Sequence, residues 1–257
     1  VSLLPDYSRQ ALAYDSTRGA SPSVLEPLMK ALSGAPGRRL LDVGGGTGNY
    51  ALALERDGWE ATVLDRSPEM LAQARAKGLR AVAGDAEALP FAPCSFDAVM
   101  LVSMLHHVER PESALAEARR VLVAGGRLAL LVFAREEIAG SFIPEYFPSS
   151  RRWLEETHPP LDQLLAMLPG ARRLKVEYQD LTDGSLAAMT TRPQLILDAH
   201  RRSQTSFFER MERDHAEELR LGLERLARDI PAGRLAGRSD GASVLGWVKP
   251  GGPAGSA

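Results

Sequence analysis

Between residues 38 and 133 the chain alternates apolar runs with amphipathic stretches five times, at a spacing of about 20–30 residues. The runs are RRLLDVG, WEATVLD, LRAVAGDA, FDAVMLVS and AGGRLALLVF, the last entered through a Gly-Gly turn. Between them stand ALALERDG, closed by Gly58, then SPEMLAQARAKG and PESALAEARRVL. In the second of these Ser67 is placed to cap the helix, Pro68 opens it and Gly78 stops it. Strand and helix in strict alternation predict an α/β fold with a parallel, doubly wound sheet. VMLV and LALLVF are apolar throughout, as strands are when helices cover both sheet faces.

Upstream, YSRQALAYDSTR and SPSVLEPLMKAL read as two helical pieces, the second with Ser21 as N-cap and Pro22 at its first position. Downstream of residue 134 the alternation weakens. PLDQLLAML predicts a helix, RRLKVEYQDL a sixth strand, residues 183–236 a largely helical stretch, and ASVLGWVK a final strand before a flexible GGPAGSA tail. Leu219, Leu223, Leu226 and Ile230 recur at helical spacing, with Asp214 and Glu217 in a capping-box pattern. The organisation read from this is one domain over 1–257. Its parts are an N-terminal helical segment (1–36), a ligand-binding core (37–134), a sixth strand plus helical cap (135–240), the last strand (241–250) and the tail (251–257). A helical insertion there serves either as a cap over the site or as a bundle that extends the core or pairs two subunits. Tyr146, Trp153, Phe207 and Phe208 either line an apolar pocket or form core, which is the commoner use of aromatics.

The chain has 257 residues, a formal net charge of −2 and one cysteine, Cys94. A disulfide framework and a thiolate metal cluster within the chain are thereby excluded, which fits a reducing, cytoplasmic setting. No apolar run reaches the ~20 residues of a membrane span, and the N-terminus has no signal-peptide pattern. Lysine occurs only at 30, 77, 175 and 249, and with abundant Ala, Gly and Pro this suggests a bacterial genome of high GC content. Balanced charge gives no footprint for nucleic acid.

The chemistry starts at LLDVGGGTG, where a strand turns sharply on glycines that permit positive φ and close approach of a ligand. Gly46, Gly48 and Ala51 fit a nicotinamide pattern, and Gly44, Gly46 and Gly48 fit G-x-G-x-G. Asp42 separates the two: a carboxylate there repels a pyrophosphate and favours a cationic ligand. Asp65, ending the second strand, can accept both hydroxyls of a ribose. Asp85, ending the third, can accept from an exocyclic amine such as that of adenine. Three acids at three successive strand ends point to one ligand.

At this point the sequence resembles class I S-adenosylmethionine (SAM)-dependent methyltransferases, and most closely their UbiE/small-molecule branch. LLDVGGGTGNYALAL, VLDRSPEMLAQAR, GDAEALPF, FDAVMLVSMLHHV and ALAEARRVLVAGGRLALL match that family's motifs in order, over about residues 38–133. The resemblance implies a Rossmann-like seven-stranded sheet with the last strand antiparallel, here ASVLGWVK. It implies that Asp42, Gly44, Gly45 and Gly46 hold the methionine part of SAM and Asp65 its ribose, with Arg66 and Met70 adjoining. Asp85 and Ala86 would hold the adenine, and Ser103 and Met104 would lie beside the methionine tail and sulfonium. Tyr14 and Arg18 resemble a segment that closes over the cofactor. Gly45 departs from the frequent Cys or Ser of the family, and the smaller residue is expected to leave more room.

The implied reaction is methyl transfer from SAM to a small-molecule acceptor at O, N or C, in specialised metabolism, releasing S-adenosylhomocysteine (SAH). His106 and His107 follow the fourth strand and are the candidates for a general base. Being adjacent, they are not expected both to face one substrate. His158, His200 and His215 stand in polar surroundings and are expected at the surface, and no spacing suggests a metal site. Methylation of RNA or of a protein or peptide is the alternative, although SMLH stands where amino-methylating nucleic-acid enzymes carry [DN]PP[YF]. A nicotinamide-linked oxidoreductase is a more distant one, disfavoured by Asp42 and Asp85. Whether the chain dimerises is not encoded in any pattern read here.

Overall fold

A computed structural model describes residues 19–138, 140–178, 185–203, 205–238 and 241–251. The first helical piece, with Tyr14 and Arg18, and most of the tail lie outside the described residues. Seven strands form one sheet: β1 (Arg39–Val43), β2 (Glu60–Asp65), β3 (Arg80–Ala83), β4 (Phe96–Val102), β5 (Leu122–Val132), β6 (Arg172–Val176) and β7 (Ala242–Val248). Their order is β3-β2-β1-β4-β5-β7-β6. β7 pairs antiparallel with both β5 and β6, while the other pairings are parallel, giving the expected Rossmann-like sheet. The order reverses between β1 and β4, and in such sheets ligands bind at the carboxyl ends of the strands beside that point.

Strand alternation sends successive residues to opposite faces, each of which has its own core. Leu41, Val43, Val99, Leu101, Leu128 and Leu130 pack on one face with helix α4 (Pro111–Val121), with Leu164 of helix Leu161–Met167 and with Leu168 just past its end. Leu40, Ala61, Val63, Met100 and Leu131 pack on the other with α1 (Pro22–Leu32), α2 (Asn49–Glu55) and α3 (Pro68–Ala76). Pro22 opens α1 as expected, but the Ser21 hydroxyl meets that of Ser23 and caps nothing. In α3 the Ser67 hydroxyl accepts from Met70 N–H, and Gly78 stops the chain at φ +87°. Gly125 and Gly126 do not form a free turn before β5. They lie within it, where the register with β4 jumps from Phe96↔Leu122 to Ala98↔Arg127. The three extra residues make a bulge, and φ +74° at Gly125 supplies the conformation it needs.

Among the described residues, 135–238 hold eight α-helices, one 3-10 segment and β6, and here the aromatics build a third core. Phe142, Phe147 and Phe208 are fully buried, Trp153 stacks on Phe207 at 5.0 Å, and Arg210 lies 4.2 Å over the Trp153 ring. Tyr146, Trp153, Phe207 and Phe208 are therefore core of the insertion. The longest helix, Ala216–Asp229, buries Leu219 and Leu226, and Gly222 lets it approach the 143–147 segment. A Cβ on Gly222 would overlap the Phe147 ring and lie 2.6 Å from the Tyr146 carbonyl oxygen. The capping box anticipated at Asp214 and Glu217 does not form. Asp214 ends the preceding helix, Ser206–Asp214, and its carboxylate is taken by Arg213 at 2.8 Å. The break falls one residue later, at His215, and Glu217 pairs with Arg220. No helix among the described residues is long and apolar enough to cross a membrane.

Candidate functional site

The glycine turn between β1 and α2 is locked from β2. Gly44 and Gly45 N–H both donate to the Leu64 carbonyl, at 2.7 and 3.1 Å, and Gly46 N–H donates to Asp65 Oδ2 at 2.9 Å. Gly44, Gly46 and Gly48 have φ of +67°, +57° and +76°, a region that costs other residues about 1 kcal/mol or more. Gly44 also faces Met104, whose Cβ lies 2.9 Å from where a Cβ on the glycine would sit. From below, Lys77 at the end of α3 donates to the Thr47 carbonyl and to Asn49 Oδ1.

Beneath this turn Asp42 is 1% exposed. Its Oδ1 has no hydrogen-bond partner among the described residues. Burial, with a smaller contribution from Asp65, pushes its pKa up to about 8. Glycine at 45 does not leave spare room. A Cβ there would lie 2.5 Å from Asp42 Cγ and 3.0 Å from Val63 Cγ1, so the absence of a side chain is what lets the buried carboxylate sit under the loop. Across the β1–β4 boundary, Ser103 adopts φ +52° and its buried Oγ likewise lacks a partner among the described residues. A strained serine and a carboxylate, both buried with hydrogen-bonding capacity unused, flank the same strand ends. Buried polar atoms are normally paired, so both are candidates for contact with a partner other than the described residues.

The other acids are partly occupied. Asp65 accepts from Gly46 N–H and, through Oδ1, from Ser67 N–H at 2.9 Å, and each oxygen keeps a further lone pair. Asp85 accepts from Glu87 N–H through Oδ1 at 2.8 Å, and Ala86 is buried beside it. Arg66 is exposed on the turn after β2, and Met70 is 2% exposed in the first turn of α3. Sequence reasoning missed Glu87, which accepts from the N–H groups of Glu109 and Arg110 and from the Arg110 guanidinium, tying the Asp85 loop to the segment after β4. These contacts hold its carboxyl below the usual range against the burial that opposes them.

Leu105–His107 forms one 3-10 turn, which brings the His106 and His107 rings to 3.9 Å although the residues are adjacent. His158 is not a surface residue. Its ring stacks on His106 at 5.6 Å and 14°, and Phe133, following β5, stands edge-on to both. The insertion puts it there. Arg135 N–H donates to the Pro159 carbonyl, the Arg135 guanidinium to the Glu155 carbonyl, and Leu161 N–H to Glu136. Nothing local in THPP signals this placement. No group of three or more His, Cys, Asp or Glu among the described residues is arranged to hold a metal ion. A cavity of about 370 Å³ in the insertion is lined by residues including Tyr178, Thr191, Ile230 and Arg238, and none of the strand-end acids lines it.

Residues 41–130, the span that carries the turn and all three acids, match the family model described as a methyltransferase domain. The chain carries a class I SAM-dependent methyltransferase domain. Among relatives of this methyltransferase domain is the ubiquinone/menaquinone biosynthesis C-methyltransferase UbiE of Roseobacter denitrificans. It is 42% identical over 120 residues, covering 43% of this chain and 48% of that protein. The malonyl-[acyl-carrier protein] O-methyltransferase of Herminiimonas arsenicoxydans is 41% identical over 124 residues, covering 48% and 47%. The chain thus spans about half the length of these relatives. Among solved structures, a candidate methyltransferase from an antibiotic biosynthesis pathway of Anabaena variabilis superposes with a TM-score of 0.74 at 25% identity, covering 90% of this chain and 98% of that one.

Proposed function

We propose that this chain is an enzyme that methylates a small-molecule acceptor with SAM and releases SAH. The observation that carries the reading is Asp42, a buried carboxylate with an unpartnered oxygen beneath a glycine turn, where a cationic ammonium group supplies the missing partner. Asp42 with Gly44, Gly45 and Gly46 would hold the amino-acid part, the remaining lone pairs of Asp65 the ribose, and Asp85 with Ala86 the adenine. Ser103 and Met104 would line the methionine tail, Arg66 and Met70 would adjoin the ribose side, and Tyr14 and Arg18 would cover the cofactor. SAM supplies a methyl group on a sulfonium, whose positive charge is lost on transfer.

The protein's own contribution is to hold the acceptor at attack distance, an effect worth ~7–11 kcal/mol where the geometry is good. His106 and His107 stand at the end of β4 to take a proton from an acceptor that must lose one. The two named relatives are a C- and an O-methyltransferase, and the segment shared with each covers less than half of this chain. On this reading the whole chain is one unit, with 135–240 on the acceptor side and a cytoplasmic setting that suits the exposed Cys94.

Calorimetric titration with SAH tests the cofactor assignment. Asp42→Asn is expected to weaken binding about 10–100-fold, the worth of one charge-assisted hydrogen bond. Unchanged affinity would remove Asp42 from the site. Labelled methyl transferred from SAM into extract of the source organism is expected in the small-molecule fraction. Label confined to RNA or protein would overturn the acceptor class.

A further inference from the structure

His158 belongs to no motif of the methyltransferase core, yet the insertion sets it against the pair at the end of β4. Its hydrogen bonds fix its tautomer. Nδ1 lies 2.9 Å from the Leu154 carbonyl oxygen, which can only accept, so Nδ1 carries the hydrogen. Thr157 Oγ1, also 2.9 Å from Nδ1, donates its own hydrogen to the Trp153 carbonyl and so is a second acceptor. The lone pair of the neutral ring is therefore on Nε2. Burial lowers the pKa from the ordinary 6.5, with the Leu154 carbonyl opposing, so the ring is neutral near pH 7. The groups facing the ring are His106, Phe133 and, behind His106, His107. The nearby charged tethers are engaged elsewhere, Arg135 with the Glu155 carbonyl and Glu136 with Leu161 N–H.

We propose that His158 is a catalytic residue whose Nε2 takes the proton from an O–H or N–H acceptor lying against His106 and Phe133. The inference rests on the methyltransferase reading above and narrows its acceptor to molecules with an ionisable proton on the attacking group. In the step, the acceptor's O–H or N–H bond breaks and its electron pair stays on the heteroatom, free to attack. The proton bonds to Nε2, giving an imidazolium that returns it to solvent after turnover. On this inference the proton goes to His158 in place of His106 or His107, and His106, covered by His107 on one side and stacked on His158, acts as a positioning residue.

The test is kinetic, with labelled SAM and the small-molecule fraction of source-organism extract. His158→Asn keeps a side-chain N–H for the Leu154 carbonyl but offers no base. It is expected to lower kcat about 10²–10⁴-fold. SAH affinity by calorimetry should stay within about twofold, and the fall in kcat on the acid side of the pH profile should disappear. In parallel, nitrogen-15 NMR of the full chain with SAH should show His158 as the Nδ1–H tautomer titrating below 6.5. Rescue of kcat and of the acid limb by His158→Asn, where His158→Ala loses them, means a structural role and overturns the proposal. An Nε2–H tautomer overturns it as well. Wild-type protein that binds SAH but labels no small molecule overturns the acceptor reading and this inference together.

Discussion

Leu41, Val43, Val99, Leu101 and Leu130 fill the sheet with aliphatic side chains, whereas the insertion is built around Phe142, Tyr146, Phe147, Trp153, Phe207 and Phe208. The two recipes follow from what each backbone can do. A parallel strand is hydrogen-bonded along both edges and needs only branched side chains of matched size on each face. Most helices of the insertion have four to nine residues, too short to stand alone in water. They hold each other through large rings and long-range polar ties, including Tyr146 to Asp229 at 2.8 Å, Ser149 to Glu218, and Arg238 to Glu145. On the proposed function, the cofactor side of the site is carried by the sheet, and the acceptor side by a region built around a separate core.

Breaking that core is the strongest test of the separation. Phe208→Ala, at a fully buried position, should cost about 3–5 kcal/mol in denaturant unfolding. Hydrogen exchange should then rise across 143–229 before it rises in β1, β4 and β5, and SAH binding should survive better than methyl transfer. Equal loss of protection in the strands would mean that the two regions share one cooperative core.

Asp42 sharpens the sheet side. Its pKa is raised in the folded state, so its contribution to the ligand-free protein is complete below the unfolded value of 3.8 and is lost as pH rises through about 8. Unfolding of the wild type without ligand at about pH 5 and about pH 9 should differ by on the order of a few kcal/mol from this group alone. In Asp42→Asn that part of the slope should be absent.

Gly222→Ala is expected to destabilise by about 1–3 kcal/mol despite alanine's better helix propensity, because its Cβ meets the Phe147 ring and the Tyr146 carbonyl. A gain in thermal midpoint would show that the helix can move off 143–147 at little cost. The smallest effect belongs to Ser103→Gly, which relieves φ +52° and should stabilise by up to about 1 kcal/mol while weakening SAH binding. Stabilisation without any loss of affinity would separate the strained backbone from ligand binding.

Strand positions, glycine turn and strand-end acids were legible because each depends on local rules. Continuous apolar runs, glycines at the positive-φ positions 44, 46 and 48, and an acid near the end of each of three strands are all visible within a few residues of sequence. The bulge in β5 was not, because Gly125–Gly126 fits a turn or a bulge equally well until β4 is alongside. The capping box at Asp214 failed for a related reason: Arg213, its neighbour, captured the carboxylate.

By itself, then, the sequence determined the doubly wound sheet and the order in which Asp42, Asp65 and Asp85 reach its carboxyl edge, since alternation and parallel pairing leave them no other place. Only the tertiary structure decided that Gly45 makes room for a buried carboxylate, that the insertion's aromatics form their own core, and that His158 stacks on His106 from 52 residues away in the chain. Those are packing contacts between segments with no shared periodicity, and such contacts exist only once the strands have fixed where each segment ends.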